Sequence, residues 1–387
     1  MTRVNVSSNI IDWALRRSGR SVMLQEKFPN LDAWKTGSIQ PTVKQLEEFA
    51  RSCSTPLGYL FLETPPDDLL PIPHFRTIKD KQVSQPSANL LATVHTMERR
   101  QEWMRQYLIS QDADEIMFVG SGRQEIDIKR VDIKKAARDF RRALNLEDHW
   151  ASKQANWTAA LAELRQKIES LGILVIVNGI VGNNTHRKLD PAEFRGFVLI
   201  DKFAPLIFVN GADCKAAQMF TLAHEIAHVW LGTSAAFDLQ QLEPSADNIE
   251  KFCNQLAAEF LVPENELKAI WHIVGKESDN IEQLSKHFKV SQLVAARRVS
   301  DLGLVSKSWF YDFYKHYLEQ EHVATNKIEK PAGDFYKTQN LRLSRRFAET
   351  VITATREGSL LFNEAYRLTG LHGKTFDSYA KTIQVGE

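Results

Sequence analysis

Apolar residues recur at helical spacing near the start of the chain. Ile10, Ile11, Ala14 and Leu15 make one stripe, and Leu46, Phe49 and Ala50 make another. Trp34, Gly37 and Pro41 punctuate a turn between them, and Thr42 is placed to cap the helix that follows. Four prolines in Thr64–Pro73 predict an extended connector. A long amphipathic helix is predicted over Ala88–Leu108. A basic helix over 126–145 carries Lys129, Arg130, Lys134, Lys135, Arg138, Arg141 and Arg142. That run reads as a solvated face or as a surface for nucleic acid or an acidic substrate.

The pattern changes from residue 158. A helix, Thr158–Ser170, leads into an apolar strand, Leu171–Val177, and two strand-like runs follow, Phe194–Asp201 and Pro205–Asn210. A helix from Ala212 to Leu231 ends at Gly232, and another, Ile249–Leu261, stops before Pro263. Helix, strands, helix, helix is an α+β order. Residues 266–323 read as helical, 324–340 as polar loop, and 341–380 as helical with a break at Gly370–Gly373. Five segments are therefore expected: a helical unit (1–62), a connector with a long helix (63–120), an α+β domain (121–265), a helical subdomain (266–323) and a C-terminal helical region (324–387).

Composition narrows the classes. A length of 387 residues suits two to three domains, and 43% hydrophobic with 25% charged residues is ordinary globular usage. The 49 Lys and Arg against 48 Asp and Glu leave a net charge of +1, which excludes a globally basic nucleic-acid coat but not a local patch. Cys53, Cys214 and Cys253 are far apart, so neither a disulfide framework nor a cysteine zinc site is readable. The first residues hold no apolar signal core, and the apolar run Gly172–Gly182 is too short to span a bilayer. The expected location is cytoplasmic, with no membrane partner.

The chemistry sits in Phe220-Thr-Leu-Ala-His224-Glu225-Ile-Ala-His228, which contains HExxH. Four residues turn a helix through about 400°, so His224 and His228 share a face and can hold one Zn²⁺. Glu225 projects beside the open coordination position, where it can take a proton from the attacking water. A catalytic zinc takes three protein ligands. Glu250 is the leading candidate for the third, on a return helix that also presents Asn254 to a ligand histidine from one turn away. Glu259 is a rival facing the opposite way, and Asp238, Glu243 and Asp247 remain open. The strand from Phe194 to Ile200 reads equally as a core strand or as an edge that pairs with substrate backbone.

These residues resemble the ImmA/IrrE-type zinc metallopeptidases. The resemblance rests on the HExxH helix and on Glu250-x-x-Cys-Asn-x-x-Ala-Ala-Glu-Phe-Leu-Val-Pro263, where the family reads E-x-x-A-N-x-F-A-A-E-L-L-M-P. Cys253 and Leu256 depart from it as apolar exchanges expected to leave the chemistry untouched. Trp34-x-x-Gly37-x-x-x-Pro41-Thr42-x-x-Gln45-Leu46, Pro56–Leu62, Pro71–Thr77 and Gly333–Tyr336 resemble the long, helix-turn-helix-containing branch. The resemblance implies a zincin-like core, small sheet plus HExxH helix, embedded in mostly α-helical domains. It implies Zn²⁺ on His224, His228 and Glu250, with Glu225 as catalytic base. The implied substrate is a DNA-binding repressor or antitoxin, which links the protein to stress, phage or mobile-element genes. A regulator or toxin–antitoxin component that senses without cleaving is the alternative.

DNA binding has two candidate seats. Residues 1–62 hold 8 Lys and Arg against 5 Asp and Glu, but the region Val22–Phe28 is short and leads to few basic residues beyond Lys35. A docking module is the competing reading. Ile281–Leu304 outlines a second helix-turn-helix, turning at Lys289–Ser291 and carrying Arg297 and Arg298. Its competing reading is a hairpin packed beneath the zinc site.

Overall fold

The computed structural model describes residues 2–66, 86–122, 132–232, 245–271, 277–324 and 335–383. Helices α1 (Ser8–Ser18), α2 (Ser21–Lys27), α3 (Leu31–Lys35) and α4 (Val43–Cys53) form the N-terminal unit around Ile10, Leu24, Leu46 and Phe49. Thr42 caps α4 in a reciprocal box. Its hydroxyl accepts from the Gln45 amide, and the Gln45 side chain accepts from the Thr42 amide. Trp34, predicted to mark a turn, lies inside α3 with its ring edge-on to Phe49. Burial of the indole outweighs the weak helical signal of so short a segment.

Next come α5 (Ala88–Ser110), α6 (Ile133–Ala143) and α7 (Trp157–Ser170). Asp132 caps α6, the described part of the basic run. Lys129 and Arg130 lie outside the described residues, as do residues 67–73 of the proline-rich connector. Arg141 of α6 is buried and donates to the Phe260 carbonyl, so the basic run is not one solvated face.

Strand β1 (Leu174–Asn178) starts later than predicted, because Leu171 and Gly172 close α7. A hairpin of β2 (Ile180–Val181) and β3 (Asn184–Lys188) follows. It carries no alternating apolar pattern, so the sequence gives no sign of it. Strands β4 (Gly196–Leu199) and β5 (Leu206–Asn210) complete a sheet ordered β1-β5-β4, with β1 parallel and β4 antiparallel to β5. Then come α8 (Lys215–Leu231), α9 (Ser245–Leu261), α10 (Glu264–Trp271), α11 (Glu277–Phe288), α12 (Gln292–Asp301) and α13 (Lys307–Ala324). The chain ends in α14 (Phe335–Leu343), α15 (Arg345–Arg356), α16 (Phe362–Thr369) and α17 (Lys374–Thr382). Residues 335–340, predicted as loop, are thus helical; α14 gains its order by lying across β1 with Gln339 fully buried.

The sheet separates two cores by strand alternation. Val175, Val177, Ile207 and Val209 face α6 to α9, α11 and α12. Leu174, Ile176, Leu206 and Phe208 face α5 and α14 to α17. Gln101 of α5 donates to the Leu199 and Ala204 carbonyls, and Arg105 pairs with Asp201, which fixes α5 along the β4–β5 turn. The architecture is mixed α+β, a small sheet among many helices. No described helix is long and apolar enough to cross a membrane.

Candidate metal centre

The turn after β5 aims α8. Asn210 donates to the Phe194 carbonyl and accepts from the Ala212 amide, while Gln218 donates to the carbonyls of Asp213 and Gly211. These bonds tie the first turn of α8 to the end of the sheet. At the far end Gly232 is left-handed, at φ 61°. A side chain there would come within 2.6 Å of the Gly120 backbone, so the position requires glycine twice over.

Along α8 the apolar face holds Leu222, Ile226 and Val229 in the core, and the polar exceptions are the motif residues. His224, Glu225 and His228 are all buried. The two histidine Nε2 atoms stand 3.1 Å apart, their rings tilted by 67°. Glu250 reaches across from α9 and straddles them. One oxygen is 3.2 Å from His224 Nε2 and the other 3.2 Å from His228 Nε2. The α8–α9 approach is close because Ala223, Ala227 and Ala257 are small and fully buried in the same core.

Ligands about 2.0–2.1 Å from a tetrahedral zinc lie about 3.3 Å apart. The three donor separations are close to that, and two imidazoles with one carboxylate are the donor set such an ion takes. The electrostatics agree. Burial alone would raise the Glu250 carboxyl, but hydrogen bonds from His224 and His228 outweigh it and hold the group well below the carboxylate range. Burial opposes charge on His228, yet contact with Cys253 and Glu250 raises its pKa well above the ordinary value. Since burial also raises the Cys253 thiol, Glu250 is the partner that supplies the negative charge. An entering cation displaces a proton here.

Glu225 points elsewhere. A Cβ built on Gly196 would lie 3.4 Å from Glu225 Oε1, so the carboxylate runs beside β4, the sheet edge. Asn254, one turn after Glu250, has a buried side-chain oxygen with no hydrogen-bond partner among the described residues. Cys253 corrects the sequence reading. The family comparison makes it an inert apolar exchange, but its thiol is fully buried and hydrogen-bonds His228. One signal could have found it: a residue three positions after a ligand faces the same way on a helix.

Among the described side chains, no other candidate joins the cluster, and the side chain of Asp247 lies outside them. Glu259 turns to α12, where it pairs with Arg298 and accepts from the Glu264 amide. Asp238 and Glu243 lie outside the described residues. Arg298, a candidate DNA contact, is part-buried, paired with Glu259 and also donates to the Val262 carbonyl, so it does not present itself to a duplex. Arg297 is exposed, pairs with Asp301 and lies over the Phe310 ring. Lys35 is held by Asp12 at 2.6 Å. The outline of the second helix-turn-helix is present: Lys289 turns at φ 53° and Ser291 caps α12 by accepting from the Val294 amide.

The family profile of the IrrE N-terminal-like domain, peptidase family M78, matches residues 168–300. That span runs from the end of α7 through α12 and contains both metal-bearing helices. A domain of unknown function (DUF8813) matches residues 343–382, the α15–α17 region. No curated protein matches the chain. Among solved structures, a Mycobacterium tuberculosis transcriptional regulator is 17% identical over 52% of this chain, with a TM-score of 0.29. The chain spans about half of that regulator's length (51%).

Proposed function

Because the chain belongs to the ImmA/IrrE family through its IrrE N-terminal-like peptidase domain, we propose that it is a zinc-dependent endopeptidase acting on a regulatory protein. The observation that carries the reading is the convergence of His224, His228 and Glu250 from two helices, with Glu225 aimed along the sheet edge. A zinc ion held by those three ligands supplies Lewis acidity toward water and toward a carbonyl oxygen. Glu225 takes the proton of the attacking water on its carboxylate and passes it to the leaving amide nitrogen. Its burial beside β4 keeps bulk water from that carboxylate. The edge of β4 receives an extended peptide by backbone pairing, which lays the scissile bond along the Glu225 side of α8. Asn254 steadies the donor cluster from the same helix as Glu250.

The substrate class we favour is a DNA-binding repressor or antitoxin, in line with the family resemblance and the two helix-turn-helix-like units. The test combines zinc content with cleavage of a repressor encoded beside the protein. Wild type should carry zinc and cut. Glu225→Gln should keep zinc and fold but not cut, and Glu250→Ala should lose both zinc and cutting. Unimpaired regulation in Glu225→Gln would overturn the peptidase reading in favour of a non-proteolytic regulator.

A further inference from the structure

A second cluster of metal-type donors lies outside the candidate active site. Glu266 sits in the first turns of α10, just after Pro263 has stopped α9. His287 is near the end of α11, its ring edge-on to buried Phe288. His149 stands in the segment between α6 and α7, in the left-handed region at φ 58°, which few non-glycine residues adopt. One carboxylate oxygen, Glu266 Oε1, is 2.6 Å from His149 Nδ1 and 2.6 Å from His287 Nε2. The three donor groups lie within 4.8 Å of one another.

A carboxylate oxygen can accept two hydrogen bonds. Here two imidazoles from separate elements converge on the same one, and each ring is aimed by its own local structure. The Glu266 side chain is 11% exposed, His287 29% and His149 57%. The site is therefore half-open, beside a cleft of about 450 Å³ that Asp148, His149 and Glu266 help to line. That cleft is an entry path for an ion. It also holds cations: Lys134 is paired with Glu264, and Arg141 interacts with Asp148 and Glu266 while donating to the Phe260 carbonyl. Arg138, Asp132 and Asp148 also line the cleft. Burial would raise the Glu266 carboxyl, yet the two histidines hold it below its usual range, so it offers a charged oxygen.

We propose that His149, Glu266 and His287 form a second divalent transition-metal site, zinc by its donor set, that clamps the α6–α7 segment to α10 and α11. Hydrogen-bond separations of 2.6 Å must open by several tenths of an ångström to admit an ion with ligands at about 2.0–2.1 Å. The exposed His149 ring has the freedom to do so. The ion staples the helical hairpin α11–α12 to the peptidase core. Glu259 of α9 and Arg298 of α12 form a separate ion pair, so the hairpin is tied at two places.

The test is zinc stoichiometry of the full chain, saturated with zinc sulfate, desalted, and measured by elemental analysis. Wild type should retain two zinc ions. His149→Ala and His287→Ala should each retain one, His228→Ala one, and His149→Ala/His228→Ala none. His149 is more than half exposed, so its replacement does not put folding at risk. Zinc should also raise the melting temperature of His228→Ala but not of the double variant. The proposal is overturned if wild type, His149→Ala and His287→Ala hold equal zinc. One zinc lost only with His228→Ala would leave the active-site reading intact. Zinc unaffected by His228→Ala but reduced by His149→Ala would support the second site and refute the first.

Discussion

The pair of buried Glu259 and part-buried Arg298 gives a prediction whose size and pH dependence follow from the structure. Their side chains are 7% and 11% exposed, and the pair joins α9, the helix of Glu250, to α12. Removing one partner of a buried pair costs about 3–5 kcal/mol, because the other charge is stranded. The two single variants are not equivalent. In Arg298→Met the stranded Glu259 can escape by taking a proton, so at pH 7 its cost is capped at about 4 kcal/mol, and at pH 5 at about 1 kcal/mol. The sign follows from proton binding. The folded variant holds a proton that the unfolded chain releases near pH 4.3, so stability falls as pH rises from there.

Glu259→Gln strands an arginine instead. Burial lowers the Arg298 pKa only to about 10, with Asp301 opposing the fall, so the group stays charged throughout this range. Its cost should be about 3–5 kcal/mol and flat between pH 5 and 7. Glu259→Leu/Arg298→Met should recover most of the loss, since a packed apolar pair replaces the ionic one. The assay is urea denaturation at pH 5 and pH 7 for wild type, both single variants and the double. A loss below 1 kcal/mol in Glu259→Gln, or additive losses in the double, would refute the reasoning.

Gly196→Ala should lower the melting temperature, because the new methyl would lie 2.5 Å from Thr221 Cγ2 and 2.8 Å from the Phe208 carbonyl oxygen, an overpacking cost of about 1–3 kcal/mol. Adding Thr221→Ser removes the first clash and should restore part of the loss. Thr42→Ala deletes the cap of α4 and should cost about 1 kcal/mol by denaturant titration of the full chain. A native thiol titration should find Cys214 fast and the other two cysteines slow. Cys214 is exposed, whereas Cys53 and Cys253 are buried and burial raises both thiols, that of Cys53 to about 12. Equal rates for all three would contradict the packing of α4 and α9.

Much of the helical content was legible because local signals sufficed. α5, α7, α8 and α9 show the apolar spacing, and Gly232 and Pro263 mark where two helices stop. The HExxH pair was equally legible, since four residues on a helix fix two side chains to one face whatever surrounds them. Glu250 could be nominated as the third donor. Its position 3.2 Å from both Nε2 atoms is a fact of helix–helix packing, 22 residues away along the chain.

The misses share a cause. β3 is exposed and polar, so its pairing with β2 leaves no period-two pattern. α14 is ordered by lying on β1, a contact between residues far apart in sequence. Charge is the least local property. Arg298 reads as a basic surface residue beside Arg297, yet one is paired inside the protein and the other lies exposed over Phe310. Sequence alone thus determined most of the helices, the HExxH pair and the family resemblance, because these depend on spacing along a single helix or strand. Only the tertiary structure decided that the C-terminal helices cover the second face of the sheet, that Cys253 touches His228, and that His149, Glu266 and His287 meet. Those outcomes are set by which surfaces bury one another, and burial is a property of the whole chain.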